Sequence, residues 1–266
     1  MKKFKILMVG MLLLFLSGCF QVEYVIKVNK DGSGTIEKTV LLSQELMQMS
    51  RNFSGGKFDK NNDESAYHDI QELKKEAVKI GENVKYISSK PMKSDDKVGY
   101  HVIYSFSDIT KTNINENPAG DMMDFSEKDK EKENMHFKFQ KGKTSELTII
   151  FPRDDDDETT EYEEKNKDNS PVSSKDLKMI RGMYKGMKIS IKVIVDGKIV
   201  NTNATYKNRN VVTLSDIDFD VIMENEKALQ ILAGNENASE EVMKKSMQKF
   251  PGFKTDLNDK IVIKFK

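Results

Sequence analysis

The sequence predicts an α+β fold, a mainly antiparallel sheet built from hairpins with about four or five helices. Three observations carry the prediction. Apolar residues alternate with polar ones at period two in short runs along much of the chain. Glycine-centred turns separate several of these runs, Asp31-Gly32 and Asp196-Gly197 being the strongest hairpin signal. Apolar residues recur at helical steps in only a few stretches, so the repeated βαβ units of a parallel sheet are missing.

The chain opens with Lys2, Lys3 and Lys5, followed by the apolar run Ile6–Leu16. That run is too short to span a hydrocarbon core of ~30 Å, which takes about 20 residues as a helix. It fits the apolar region of a secretory signal, closed by the small residues Ser17 and Gly18. The only cysteine of the chain, Cys19, comes next. Leu16-Ser17-Gly18-Cys19 resembles a bacterial lipobox. The resemblance implies cleavage between Gly18 and Cys19, a thioether-linked diacylglycerol on Cys19 and a further acyl chain on the new amine. Two or more chains make a stable anchor, since each buried methylene contributes about 0.8 kcal/mol. Phe20 stands where an aspartate would resemble an inner-membrane retention signal. The expected address is therefore the cell envelope, and the outer membrane if the source is Gram-negative.

Beyond the anchor, Val22, Tyr24, Ile26 and Val28 alternate with Glu23, Val25, Lys27 and Asn29, and Lys30–Gly34 makes a turn. Thr35, Glu37 and Thr39 alternate with Ile36 and Val40 in the returning strand. Ser43 suits the N-cap of a helix over Gln44–Arg51, and Asn52–Asp63 reads as a loop. Tyr67, Ile70, Leu73, Ala77 and Ile80 predict a helix over Glu64–Ile80, ended by Gly81, with Asp69, Glu72, Lys75, Glu76 and Lys79 outward. Strands are expected at Asn83–Ser89 and Gly99–Phe106, and an irregular stretch at Thr110–Asn134. Met135–Gln140 and Glu146–Phe151 form a second hairpin around Lys141-Gly142-Lys143.

Arg153–Ser170 carries nine acids against three bases and almost no apolar residue, the composition of a solvated linker. A helix over Lys175–Lys185 follows. Lys188–Val195 and Ile199–Tyr206 are expected to pair as a third hairpin across Asp196-Gly197-Lys198, with a short strand at Val211–Leu214. Asp216–Ala233 and Ser239–Phe250 read as helices, and Ile261, Ile263 and Phe265 as the last strand. The chain divides into a signal at 1–18, α+β regions at 19–152 and 171–266, and the acidic linker or loop at 153–170. The two regions stand apart or pack as one domain.

Composition narrows the functional classes. Three of the 43 basic residues precede Cys19 and no acid does, which leaves 40 basic against 43 acidic and a net charge of −3 for 19–266. Such a balance argues against nucleic acid as a partner. Charged residues make up 32% of the chain, tryptophan is absent and the mean hydropathy is −0.60. Without a second cysteine no disulfide forms within the domain, so packing alone must hold it.

Two stretches carry a second resemblance, Val28-Asn29-Lys30-Asp31-Gly32-Ser33-Gly34-Thr35 and Gly197-Lys198-Ile199-Val200-Asn201-Thr202-Asn203-Ala204 with Val211-Val212-Thr213-Leu214. They resemble the LppM-like bacterial lipoproteins, and Arg153–Ser170 is an insertion against that pattern. The resemblance implies an exported α+β domain, with binding of lipid or envelope components proposed for the family, and it supplies no catalytic residues.

No catalytic or cofactor constellation emerges. His68, His101 and His136 are far apart and lack metal-ligand spacing. Asp154–Asp157 lacks the alternation and sharp-turn glycine of a calcium loop. Ser33 and Ser54 lie beside glycines but outside Gly-x-Ser-x-Gly. Met179, Met183 and Met187 form a row at four-residue spacing that reads as core packing rather than an adaptable groove. The sequence therefore points to a lipid-anchored, non-enzymatic envelope protein without cofactor or metal. The membrane holds it through Cys19, and its exported domain binds a protein or an amphiphile. The alternatives are an envelope hydrolase assembled from dispersed residues and a structural, surface-exposed lipoprotein.

Overall fold

The computed structural model describes residues 20–44, 67–94, 96–116, 134–152, 174–234 and 240–266. The expected signal 1–18, Cys19, the helix expected beyond Gln44, the loop Asn52–Asp63, Ser54 and the acidic run 153–170 lie outside the described residues.

Strand β1 (Phe20–Val28) places Phe20, Val22, Ile26 and Val28 on one face, each exposed by 2% or less. Burial of each such side chain is worth about 1.5–3 kcal/mol. The turn after it is the one Asp-Gly predicts: Gly32 N donates to Asn29 O at 3.1 Å, with Gly32 at φ 90. β2 (Gly34–Ser43) then returns antiparallel from Val28↔Gly34 to Phe20↔Leu42. Helix α1 (Ile70–Ile80) starts at Asp69, whose carboxylate accepts from Gln71 N and Glu72 N, and stops at Gly81. Leu73, Ala77 and Ile80 are buried as expected, whereas Ile70 is exposed in the first turn. His68 precedes the helix rather than lying on it.

The edge strand β3 (Val84–Lys93) runs four residues past the expected Ser89 and contains Pro91. It pairs with β4 (Lys97–Phe106) through a register shift between Tyr86 and Ser88. A bulge, lysines and a proline suit a strand whose outer edge has no neighbour. A 3₁₀ turn (Ile109–Lys111), β5 (Ile114–Asn115) and the hairpin of β6 (Asn134–Gln140) and β7 (Ser145–Ile150) follow.

Helix α2 (Ser174–Tyr184) leads into β8 (Lys188–Val195), β9 (Ile199–Thr202), β10 (Lys207–Asn208) and β11 (Val211–Asp218). Helices α3 (Phe219–Met223), α4 (Glu226–Gly234) and α5 (Glu240–Met247), then β12 (Phe253–Thr255) and β13 (Lys260–Phe265), complete the described chain.

The strands form two sheets. The larger runs β10-β11-β8-β1-β2-β4-β3, with β12 also on β11, and the smaller runs β5-β6-β7-β13-β9. Every pairing among the described residues is antiparallel except β1 with β8. The fold is thus sheet-dominated α+β, with few and short helices. Both sheets draw strands from either side of the acidic run. One apolar core joins the inner face of the larger sheet, the smaller sheet and α1, from Ile26 and Tyr104 to Ile149, Ile263 and Phe265. A second, around Ile222, Leu229, Met247 and Phe250, knits α3 to α5 together.

Two expected elements are overturned. β8 and β9 do not form a hairpin. β8 lies between β1 and β11, so both its hydrogen-bonding edges are taken, and β9 crosses to pair with β13 in the other sheet. The helix expected over Asp216–Ala233 is also interrupted. Asp216, Ile217 and Asp218 pair with Ser190, Ile189 and Lys188 as the end of β11. Two caps then restart the chain: Asp218 accepts from Asp220 N and Val221 N, and Asn225 from Lys227 N and Ala228 N. Side-chain acceptors at both places satisfy the free amides of a new helix, which favours a break over one long helix.

Candidate functional site

The inner face of the larger sheet is apolar except at its middle. There Lys38, between Ile36 and Val40 on β2, lies opposite Tyr24 on β1 and Val102 on β4. α1 crosses this face and brings Glu76 to it. Lys38 Nζ donates to Glu76 Oε1 at 2.5 Å, and Tyr104 donates its hydroxyl to Glu76 Oε2 at 2.8 Å. The ammonium lies 5.6 Å from the centroid of the Tyr24 ring and 6.0 Å from that of Tyr100. Only 14% of the Lys38 side chain and 26% of the Glu76 side chain reach water. Helical spacing alone puts Glu76 outward, and the structure corrects it. Glu76 follows Leu73 by three residues and precedes Ile80 by four, so it falls on the buried stripe of α1, where the Lys38 ammonium and the Tyr104 hydroxyl offset its desolvation.

The electrostatics of this cluster run against nucleophilic chemistry. Burial opposes the charge of Lys38, but its interactions with Tyr24, Tyr100 and Glu76 outweigh burial and hold the ammonium well above the usual lysine range. Burial pushes Tyr24 up to about 12. Burial raises Tyr100 as well, and burial together with Glu76 raises Tyr104. An activated lysine or tyrosine would need the opposite displacement. The cluster is an interior ion pair roofed by phenols.

One consequence is alkaline sensitivity. The folded state holds these protons more tightly than an unfolded chain, so their contribution is complete below pH 10 and falls as pH rises toward 12 and beyond. Every tenfold gain in proton affinity on folding contributes about 1.4 kcal/mol. In a pH titration Tyr24, Tyr100 and Tyr104 should ionise together with the loss of far-ultraviolet dichroism, after the exposed tyrosines among the eight in the chain. Simple titration of all eight near pH 10 in a folded protein would contradict this.

The Thr-Asn-Ala stretch after β9 has an architectural task. Asn203 Oδ1 accepts from Val262 N at 2.7 Å and Asn203 Nδ2 donates to Lys260 O at 2.8 Å, so its amide extends the β9–β13 pairing in place of backbone. Nearby, the buried Asp256 accepts from Thr205 N at 2.7 Å and Asn258 Nδ2 at 2.6 Å, tying the β9–β10 and β12–β13 connections together.

The other residues singled out in the sequence are scattered. His68 bonds Ser89 Oγ at 2.7 Å, His101 bonds Thr39 Oγ1 at 3.0 Å on the outer sheet face, and His136 is exposed on β6. Among the described residues no group of three or more His, Cys, Asp or Glu is placed to hold a metal ion. Asp31-Gly32-Ser33-Gly34 is the β1–β2 turn, where Ser33 N and Oγ both donate to Asp31 Oδ1. Met187 is buried beside Phe20 and Val22, whereas the Met179 and Met183 side chains lie outside what is described. Sequence reasoning missed Lys38 and Glu76, although a lysine centred on an apolar strand face was a legible signal.

No family model matches the chain, and no curated protein matches it. Among solved structures it is similar to the folded domain of LppM from Mycobacterium tuberculosis, determined by NMR. The identity is 11%, the TM-score is 0.31, and the likeness covers 74% of this chain and 81% of that one. A likeness this slight carries neither topology nor function from one protein to the other.

Proposed function

We propose that the protein is a lipid-anchored lipoprotein of the bacterial cell envelope, non-enzymatic, whose exported domain binds a protein or an amphiphile. The observation that carries this is the lipobox Leu16-Ser17-Gly18-Cys19 behind a basic and then apolar leader. Acyl chains on Cys19 are the membrane attachment, and no helix among the described residues is long and apolar enough to cross a membrane. The raised proton affinities of Lys38 and the three tyrosines support a binding rather than a catalytic role for the domain.

The test is metabolic labelling with a fatty-acid probe. The wild-type protein should take up label and partition with membranes, whereas Cys19→Ala should lose both and still give a folded domain. Equal label on the variant would remove the anchor. For the ligand, native mass spectrometry of residues 20–266 from envelope extract should reveal a stoichiometric amphiphile, or a bare mass that sends the search to protein partners by crosslinking.

A further inference from the structure

The geometry points to a fixed orientation on the bilayer: the sheet end that carries Phe20 rests on the lipid surface, and the Asp31 turn points away from it. This rests on acylation of Cys19, and the occupant of the sheet end is the bilayer in which those chains sit. Lipoproteins with a flexible tether let the domain float, but here no tether length remains. Phe20 is 0% exposed, is the first residue of β1 and is paired with Leu42, so the residue bonded to Cys19 is already core. Consecutive Cα atoms lie 3.8 Å apart, so the folded body begins about 4 Å from the acylated residue.

The attachment point also lies centrally. β1 is flanked by β8 and β11 on one side and by β2, β4 and β3 on the other. Tipping the body onto either edge would lift Cys19 out of the interface. The register gathers Phe20, Leu42, Val98, Lys93, Lys188 and Asp218 at the same end. Lying on the outer face has little to recommend it. Lys27 and Glu37 pair there at 2.5 Å and Lys192 and Glu23 at 3.0 Å, which leaves no unbalanced positive charge for anionic lipid. The opposite end, at the Asn29–Ser33 turn, lies about 26 Å farther out along the nine residues of β1.

The experiment uses the full acylated protein in phosphatidylethanolamine–phosphatidylglycerol vesicles. Its single native thiol is consumed by the thioether, so a probe attaches only to an added cysteine, in Lys93→Cys, Lys27→Cys or Asp31→Cys. A headgroup-linked quencher should act on the Lys93 position at least about threefold more strongly than on the other two, given a height difference of ~26 Å. Inserting about ten Gly-Ser residues between Cys19 and Phe20 gives a tether of roughly 16–19 Å and should erase the difference. Equal quenching of all three positions without the insert, or quenching at Lys27 as strong as at Lys93, would overturn the orientation. Intact mass separates the two levels: a protein without acyl chains overturns the anchor itself, and with it the orientation. An acylated protein with uniform quenching overturns the orientation alone.

Discussion

Replacing Glu76 by alanine is expected to destabilise the fold by about 3 kcal/mol, the low end for removing one partner of a buried pair. The cost arises because Lys38 is left charged with 14% of its side chain in water, while Tyr104 loses the acceptor of its hydroxyl. The low end applies because 26% of the Glu76 side chain already meets solvent. Lys38→Met should cost less, since Glu76 keeps the Tyr104 hydrogen bond and part of its hydration. The double variant Lys38→Met, Glu76→Leu should fall within about 1 kcal/mol of the wild type, because well-packed apolar groups replace a buried pair at little cost. Urea denaturation of the three variants measures this ordering. A Glu76→Ala cost below about 1 kcal/mol would mean that Lys38 swings its ammonium to water, as a long side chain can.

Gly197→Ala should cost about 3 kcal/mol. Gly197 has φ +123, and a Cβ there would meet Lys266 O at 2.4 Å and its carbonyl carbon at 2.9 Å. Strain of this kind costs about 1–3 kcal/mol. Moving the chain apart also threatens the two hydrogen bonds exchanged by Lys198 and Lys266, at 2.8 and 3.1 Å, each worth about 1 kcal/mol. Gly182 in α2 is the contrast, because a Cβ there meets nothing within 4 Å. Gly182→Ala should stabilise by about 0.5–1 kcal/mol through helix propensity. Both are read as midpoint shifts at constant denaturant slope. A neutral Gly197→Ala would show that the crossing between the sheets tolerates a different path.

Much of the fold was legible because strand alternation is a local property. Val22, Tyr24, Ile26 and Val28 share a face whatever lies beside them, and Asp31-Gly32 turns the chain for reasons contained in the turn. The same holds for the β6–β7 hairpin, β13 and the buried side of α1. The interior pair was half legible: Lys38 shares a face with Ile36 and Val40, but nothing near it in sequence names Glu76, 38 residues away, as its partner.

The sequence by itself determined the basic and apolar leader ending at Cys19, the faces of the main strands and the α+β class. Only the tertiary structure decided which strand each edge would bond. Asp196-Gly197-Lys198 has the composition of a hairpin turn, yet β1 and β11 already occupy both edges of β8, so the chain that follows must leave the sheet. Asp216–Asp218 likewise became strand because β8 and β12 offered it partners. Periodicity reports which side of a strand is apolar, whereas hydrogen-bond saturation of a sheet edge depends on residues distant in sequence, and that competition is settled only when the sheets assemble.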